Sequence, residues 1–162
     1  MQKKEQKAKN IAEKKKSRVF PELTLSPIFS YGCFYLGANI SDYRNLVELD
    51  PDRDALEYDS YIATNIDYEI DLWPNHSGII KRIHFVNHCY YQGYDLIGTN
   101  IFHFMKMINK EPSKLAFEWI MGINGKRGQN QRVYDFDFNN SQGIQVWTWK
   151  KRVRCIIIYS WS

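Results

Sequence analysis

Two short stretches, Leu36-Gly-Ala-Asn-Ile40 and Ile97-Gly-Thr-Asn-Ile101, lie 61 residues apart and agree in kind at every position. A repeat of this sort constrains a chain of 162 residues strongly, because both copies must satisfy one fold. The agreement extends beyond the two stretches. Gly32 falls on Gly93, Tyr43 on Phe104, Leu46 on Met107, Val47 on Ile108 and Pro51 on Pro112. Glycine permits a turn out of a strand, asparagine accepts from free N–H groups at a helix start, and proline stops the helix.

Past an insert at 113–131 the match resumes with a different offset. Asn65 meets Asn139, Ile70 meets Ile144, Leu72 meets Val146 and Trp73 meets Trp147. One residue less and the last segment fits: Ile80 with Val153, Lys81 with Arg154, Ile83 with Ile156, Phe85 with Ile158. Apolar and polar residues alternate through these segments, which is the period of a strand. Strands are expected over 28–35, 58–63, 67–73 and 79–87, then 90–96, 132–138, 143–149 and 153–159. Helices are expected over 40–49 and 101–109, where apolar residues recur at helical spacing. The resulting expectation is an α+β fold of two tandem β-α-β-β-β units, each an antiparallel meander covered by one helix. Unit 1 spans 20–88, unit 2 spans 89–162, and 1–19 forms a basic flexible tail.

The formal charge of +4 is unevenly placed. Residues 1–18 hold eight Lys/Arg and two Glu, leaving 14 basic and 16 acidic residues for the rest. A slightly acidic body argues against nucleic acid as a partner, except through the basic tail. Three cysteines, Cys33, Cys89 and Cys155, with no CxxC, read as free thiols in a reducing compartment. No secretory h-region or long apolar run is present, so the expectation is a cytoplasmic protein with no membrane partner.

Catalytic motifs are sparse. His84-x-x-x-His88-Cys89 lacks the second ligand pair of a zinc site and reads as strand histidines. Gly122-Ile-Asn-Gly-Lys-Arg-Gly has the composition of a phosphate loop without its pattern. No metal, cofactor or catalytic residue is expected. Glu69 with Asp71, and Asp135 with Asp137, are spaced to share a strand face, as carboxylates of an acid/base pair could. Trp73 shares the parity of Glu69 and Asp71, and Trp147 and Trp149 share that of Gln145. Acids beside large rings on an open sheet face suit a basic protein partner.

The repeated G-x-N-I corner followed by a meander ending in tryptophan resembles the BamE-like (SmpA/OmlA) unit, over residues 28–160. The layout is also similar to immunity proteins encoded beside polymorphic toxins. That resemblance implies a non-enzymatic protein-binding module, concretely a cytoplasmic immunity protein that neutralises a toxin by occlusion. Glu69, Asp71, Asp135 and Asp137 would meet basic groups, with Trp73, Trp147 and Trp149 as anchors. The alternatives are a small-molecule or enzyme site between the units, and a nucleic-acid role for the tail.

Overall fold

The computed structural model describes residues 25–26, 30–49, 60–64, 69–120, 128–139 and 141–161. The tail expected at 1–19 and most of the loop 122–128 lie outside them. Strands β1 (Leu25–Ser26), β2 (Ser30–Tyr31) and β3 (Phe34–Tyr35) form a small sheet, followed by a 3-10 turn, Ile40–Tyr43. Next come β4 (Val47–Leu49), β5 (Tyr61–Ala63), β6 (Ile70–Pro74) and β7 (Ile80–Phe85). The second half repeats the order: hairpin β8 (Tyr90–Tyr91) and β9 (Tyr94–Asp95), then helix α1 (Ile101–Ile108). It ends with β10 (Lys114–Ile120), β11 (Gln129–Asn139), β12 (Gln142–Trp149) and β13 (Arg152–Ser160).

All eight long-range strands form one antiparallel sheet, ordered β10-β11-β12-β13-β7-β6-β5-β4. This overturns the α+β expectation of two meander sheets, each covered by its own helix. The units lie side by side in one sheet, and α1 is the single α-helix among the described residues. The helix expected over 40–49 is a 3-10 turn that runs on into β4. Its Ser41, Asp42 and Asn45 bond readily to nearby backbone and favour turns, and Val47 favours a strand. The matching segment of α1 is Phe, Met and Lys, which hold a helix better. Asn109, left-handed at φ 50°, ends that helix before Pro112 is reached. The strands expected over 28–35 and 90–96 are tight hairpins, turning at Gly32 and Gly93 with positive φ. The insert at 113–131 contains an edge strand, β10.

The repeat itself is written in hydrogen bonds. Gly37 N–H donates to Ile80 O at 2.8 Å, and Gly98 N–H donates to Val153 O at 2.8 Å. Ile40 N–H reaches Gly78 O at 2.8 Å, as Ile101 N–H reaches Lys151 O at 2.9 Å. Ile80 N–H returns to Ala38 O at 2.9 Å, and Val153 N–H to Thr99 O at 2.9 Å. Asn39 and Asn100 each accept from the N–H two residues on, at 3.0 and 2.9 Å. Each corner therefore clamps the start of the last strand of its own half. Both halves also shift register at an equivalent place, between Trp73 and Pro74 and between Trp147 and Thr148, leaving Lys81 and Arg154 as the extra residues; the second half shifts again between Asp137 and Asn139.

One sheet face carries the core. Ile70, Leu72, Ile83, Phe85, Phe136, Ile144, Val146, Ile156 and Ile158 are fully buried there, under Tyr31, Phe34, Ile101 and Phe104. Tyr31 packs on Phe85 with ring centroids 4.5 Å apart, and Phe104 on Phe136 at 5.5 Å. Each such side chain contributes about 1.5–3 kcal/mol through burial.

Gly37 and Gly98 sit at φ 87° and 81°, and a Cβ at either would meet nothing within 4 Å. Gly37→Ala and Gly98→Ala should thus each cost about 1–2 kcal/mol through backbone conformation alone. Chemical denaturation checks this. A large cost at one site and none at the other would show that the two corners are not equivalent.

Candidate functional site

The face opposite the core is crossed by one row of cross-strand partners: Lys114, Asp135, Gln145, Ile157, His84, Asp71, Ile62 and Glu48. Strand pairing and alternation thus place Asp71, Trp73, Asp135, Asp137 and Trp147 on the far face. Glu69 is exposed just before β6.

The predicted residues do not form one site. They divide into a cluster on each half. Strand spacing of about 4.8 Å, over four steps from β11 to β6, puts Asp135 and Asp71 roughly 19 Å apart. That is too far for two carboxylates to act on one bond, where separations of about 5–9.5 Å are needed.

On the second half the acids are engaged with neutral partners. Gln145 Nε2 donates to Asp135 Oδ1 at 2.9 Å, and Trp147 Nε1 donates to Gln145 Oε1 at 2.8 Å. Tyr159 Oη donates to Asp137 Oδ1 at 3.1 Å. Gly143 stands between them in register, and any Cβ there would clash with the Tyr159 hydroxyl. Burial, then the Asp137 charge and its hydrogen bond, push the Tyr159 hydroxyl up from its ordinary pKa.

On the first half, Trp73 lies flat on His84, with centroids 4.8 Å apart and planes within 4°. Trp73 Nε1 and His84 Nε2 are buried, with no hydrogen-bond partner among the described residues. The Asp71 Oδ1 atom beside them is buried as well. Burial, with a smaller push from Arg82, lowers the His84 pKa to about 4. His88, read from the sequence as a strand histidine like His84, lies beyond the end of β7 and pairs with Asp95, Nδ1 to Oδ2 2.6 Å.

The thiols are poorly suited to attack. Burial raises Cys33 and Cys89, and burial with the Asp71 charge pushes Cys155 up to about 12. No group of three His, Cys, Asp or Glu side chains could hold a metal among the described residues. No described helix is long and apolar enough to cross a membrane.

Trp149 departs from the predicted set. It sits at the end of β12, with Lys150 Nζ 4.6 Å and the Arg154 guanidinium 5.4 Å from its ring centroid. Its surroundings are cationic, not acidic. The turn it precedes is also unusual. Trp149 pairs with Arg152, so Lys150 and Lys151 alone make the turn, at φ 49° and 63°. Such a turn takes Asn-Gly or Gly-Gly by preference, and a left-handed lysine costs about 1–2 kcal/mol. At the equivalent of Lys151 the first half has Gly78, φ 76°. Composition alone concealed this feature, because the Lys-Lys-Arg run reads as an ordinary solvated turn until its register is known.

Comparison of the chain with known protein families, curated proteins and solved structures finds no match.

Neutral His84 makes stability depend on pH in a defined direction. Its folded pKa lies below the unfolded value near 6.5, so the unfolded chain takes up the proton first. The stability is complete above about pH 6.5 and is lost as pH falls toward 4, by at most about 3 kcal/mol. Melting temperatures between pH 7.5 and 4.5 should fall less in His84→Phe, which keeps a ring over Trp73. Equal falls in both proteins would assign the loss to other groups.

Proposed function

We propose that the protein is a non-enzymatic protein-binding module, most concretely a cytoplasmic immunity protein that blocks a cognate toxin by occlusion. The observation carrying this reading is the chain Trp147–Gln145–Asp135 on the far face. It holds the half-buried Trp147 ring by its only polar atom, so little side-chain freedom remains to be lost on binding. Exposed Asp137 and Glu69 add acidic groups that would steer a basic partner. The raised thiols and the lowered His84 favour binding over nucleophilic chemistry. An enzyme site between the units is less well supported, because the units meet through paired strands β7 and β13.

Co-expression with a toxin encoded beside its gene should protect cells and yield a one-to-one complex. Trp147→Ala should weaken that complex at least about tenfold, as expected of a central aromatic anchor. Asp137→Lys should mainly slow association and flatten its salt dependence. Absence of protection, or an unchanged affinity in Trp147→Ala, would dismiss the reading.

A further inference from the structure

The two halves share a scaffold but not a charge pattern. Arg132 on β11, and Lys150, Lys151, Arg152 and Arg154 at and beside the β12–β13 turn, lie toward one end of the sheet, with Glu118 the one acid on the neighbouring edge strand β10. Phe117 pairs with Arg132 and Arg132 with Thr148, a row on the core side at the sheet edge, while Trp149, the next residue along β12, lies on the far face of the same end. Arg152 bridges on to Asn100, beside the first turn of α1.

At this end cations lie over aromatic rings repeatedly. Arg132 is 5.5 Å from the Phe117 centroid, Lys151 5.7 Å from Phe102, and Lys150 and Arg154 cover Trp149. Phe117 remains 65% exposed and Phe102 53% exposed, so these rings are not core residues. The corresponding turn of the first half has no such chemistry. Asn75 Oδ1 accepts there from Ser77 and Ile79 N–H, and no Lys or Arg stands between Trp73 and Ile80. The paired left-handed lysines are therefore a departure from the repeat, held against local preference.

We propose that this end of the sheet binds single-stranded nucleic acid. Unpaired bases offer flat faces to rings, and their phosphates meet the flanking cations. A duplex hides its base faces, and an acidic peptide lacks them. The site goes beyond the protein-binding reading, uses different residues from Trp147 and Asp137, and stands or falls separately.

The test uses the full chain and a fluorescent single-stranded 20-mer of thymidine, followed by anisotropy across a salt series. Binding should weaken steeply with salt. Lys150→Asn with Lys151→Gly should raise the melting temperature, because the turn is relieved, yet weaken binding at least about tenfold and reduce the salt slope by about 1.4. A gain in stability with a loss of binding excludes misfolding as the cause. Trp149→Ala should weaken binding with the salt slope kept. Polyglutamate and the duplex of the same sequence should bind at least about tenfold more weakly than the single strand. Three results would overturn the proposal: equal binding of polyglutamate, unchanged binding in the turn variant, or loss of binding only when Lys14, Lys15 and Lys16 of the tail become glutamine.

Discussion

The antiparallel ladder between β7 and β13 is the contact on which the architecture depends. Ile156 pairs with Phe85, Ile157 with His84 and Ile158 with Ile83. Under the repeat, Ile83 corresponds to Ile156, His84 to Ile157 and Phe85 to Ile158. The ladder is therefore related to itself by a twofold operation passing through the His84–Ile157 pair. A half of this size has few core residues of its own, and one face of four strands would remain wet. Joining two halves edge to edge turns each vulnerable last strand into a central one and makes the core face continuous. The core-side chains at the joint, Ile83, Phe85, Ile156 and Ile158, are fully buried or nearly so and belong to both halves at once.

That joint also governs the far face. Because pairing is unbroken across the axis, polar groups of the two halves are ordered in rows. Asp71 and Asp135 are thereby held far apart. The two halves provide different environments. Near the axis, Trp73 and His84 are stacked and deprived of solvent, and the imidazole is neutral as a result. On the second half, Gly143 lets Tyr159 pass over the strand to Asp137, while the first half has Glu69 at the position of Gly143.

The corners, the strands β5–β7 and β11–β13 and the face carrying Asp71, Trp73, Asp135 and Trp147 were legible in the sequence, because each follows from local chemistry or period-two alternation; the strands expected over 28–35 and 90–96 were not, since Gly32 and Gly93 turn them back as hairpins. The joining of the halves was not, since it depends on which edges meet. For Val47–Leu49 the reason is different: Ile40, Tyr43, Leu46 and Val47 fit helical spacing, and only the turn-forming Ser41 and Asp42 tip the balance. Strand β10 does alternate, with Leu115, Phe117 and Trp119 on one side, yet those residues point outward at an edge and so do not read as core. The cationic turn was hidden by an average: a near-neutral body conceals Lys150, Lys151, Arg152 and Arg154 gathered at and beside one turn.

The clamp formed by each corner explains how such divergence is tolerated. Backbone bonds from Gly37 and Ile40, and from Gly98 and Ile101, fix the start of β7 and of β13 from outside the turn. The turns themselves are then free to differ in length and chemistry without moving the strands they join. In the first half this freedom yields a relaxed turn, with Asn75 satisfying the backbone and glycine at the left-handed position. In the second, the same left-handed position carries Lys151, and its carbonyl still accepts from Ile101. The strain of that turn is retained because the flanking Trp149–Arg152 pair and the corner together leave the backbone no other path. A symmetric scaffold thereby supports an asymmetric surface, with the strained cationic turn confined to one copy.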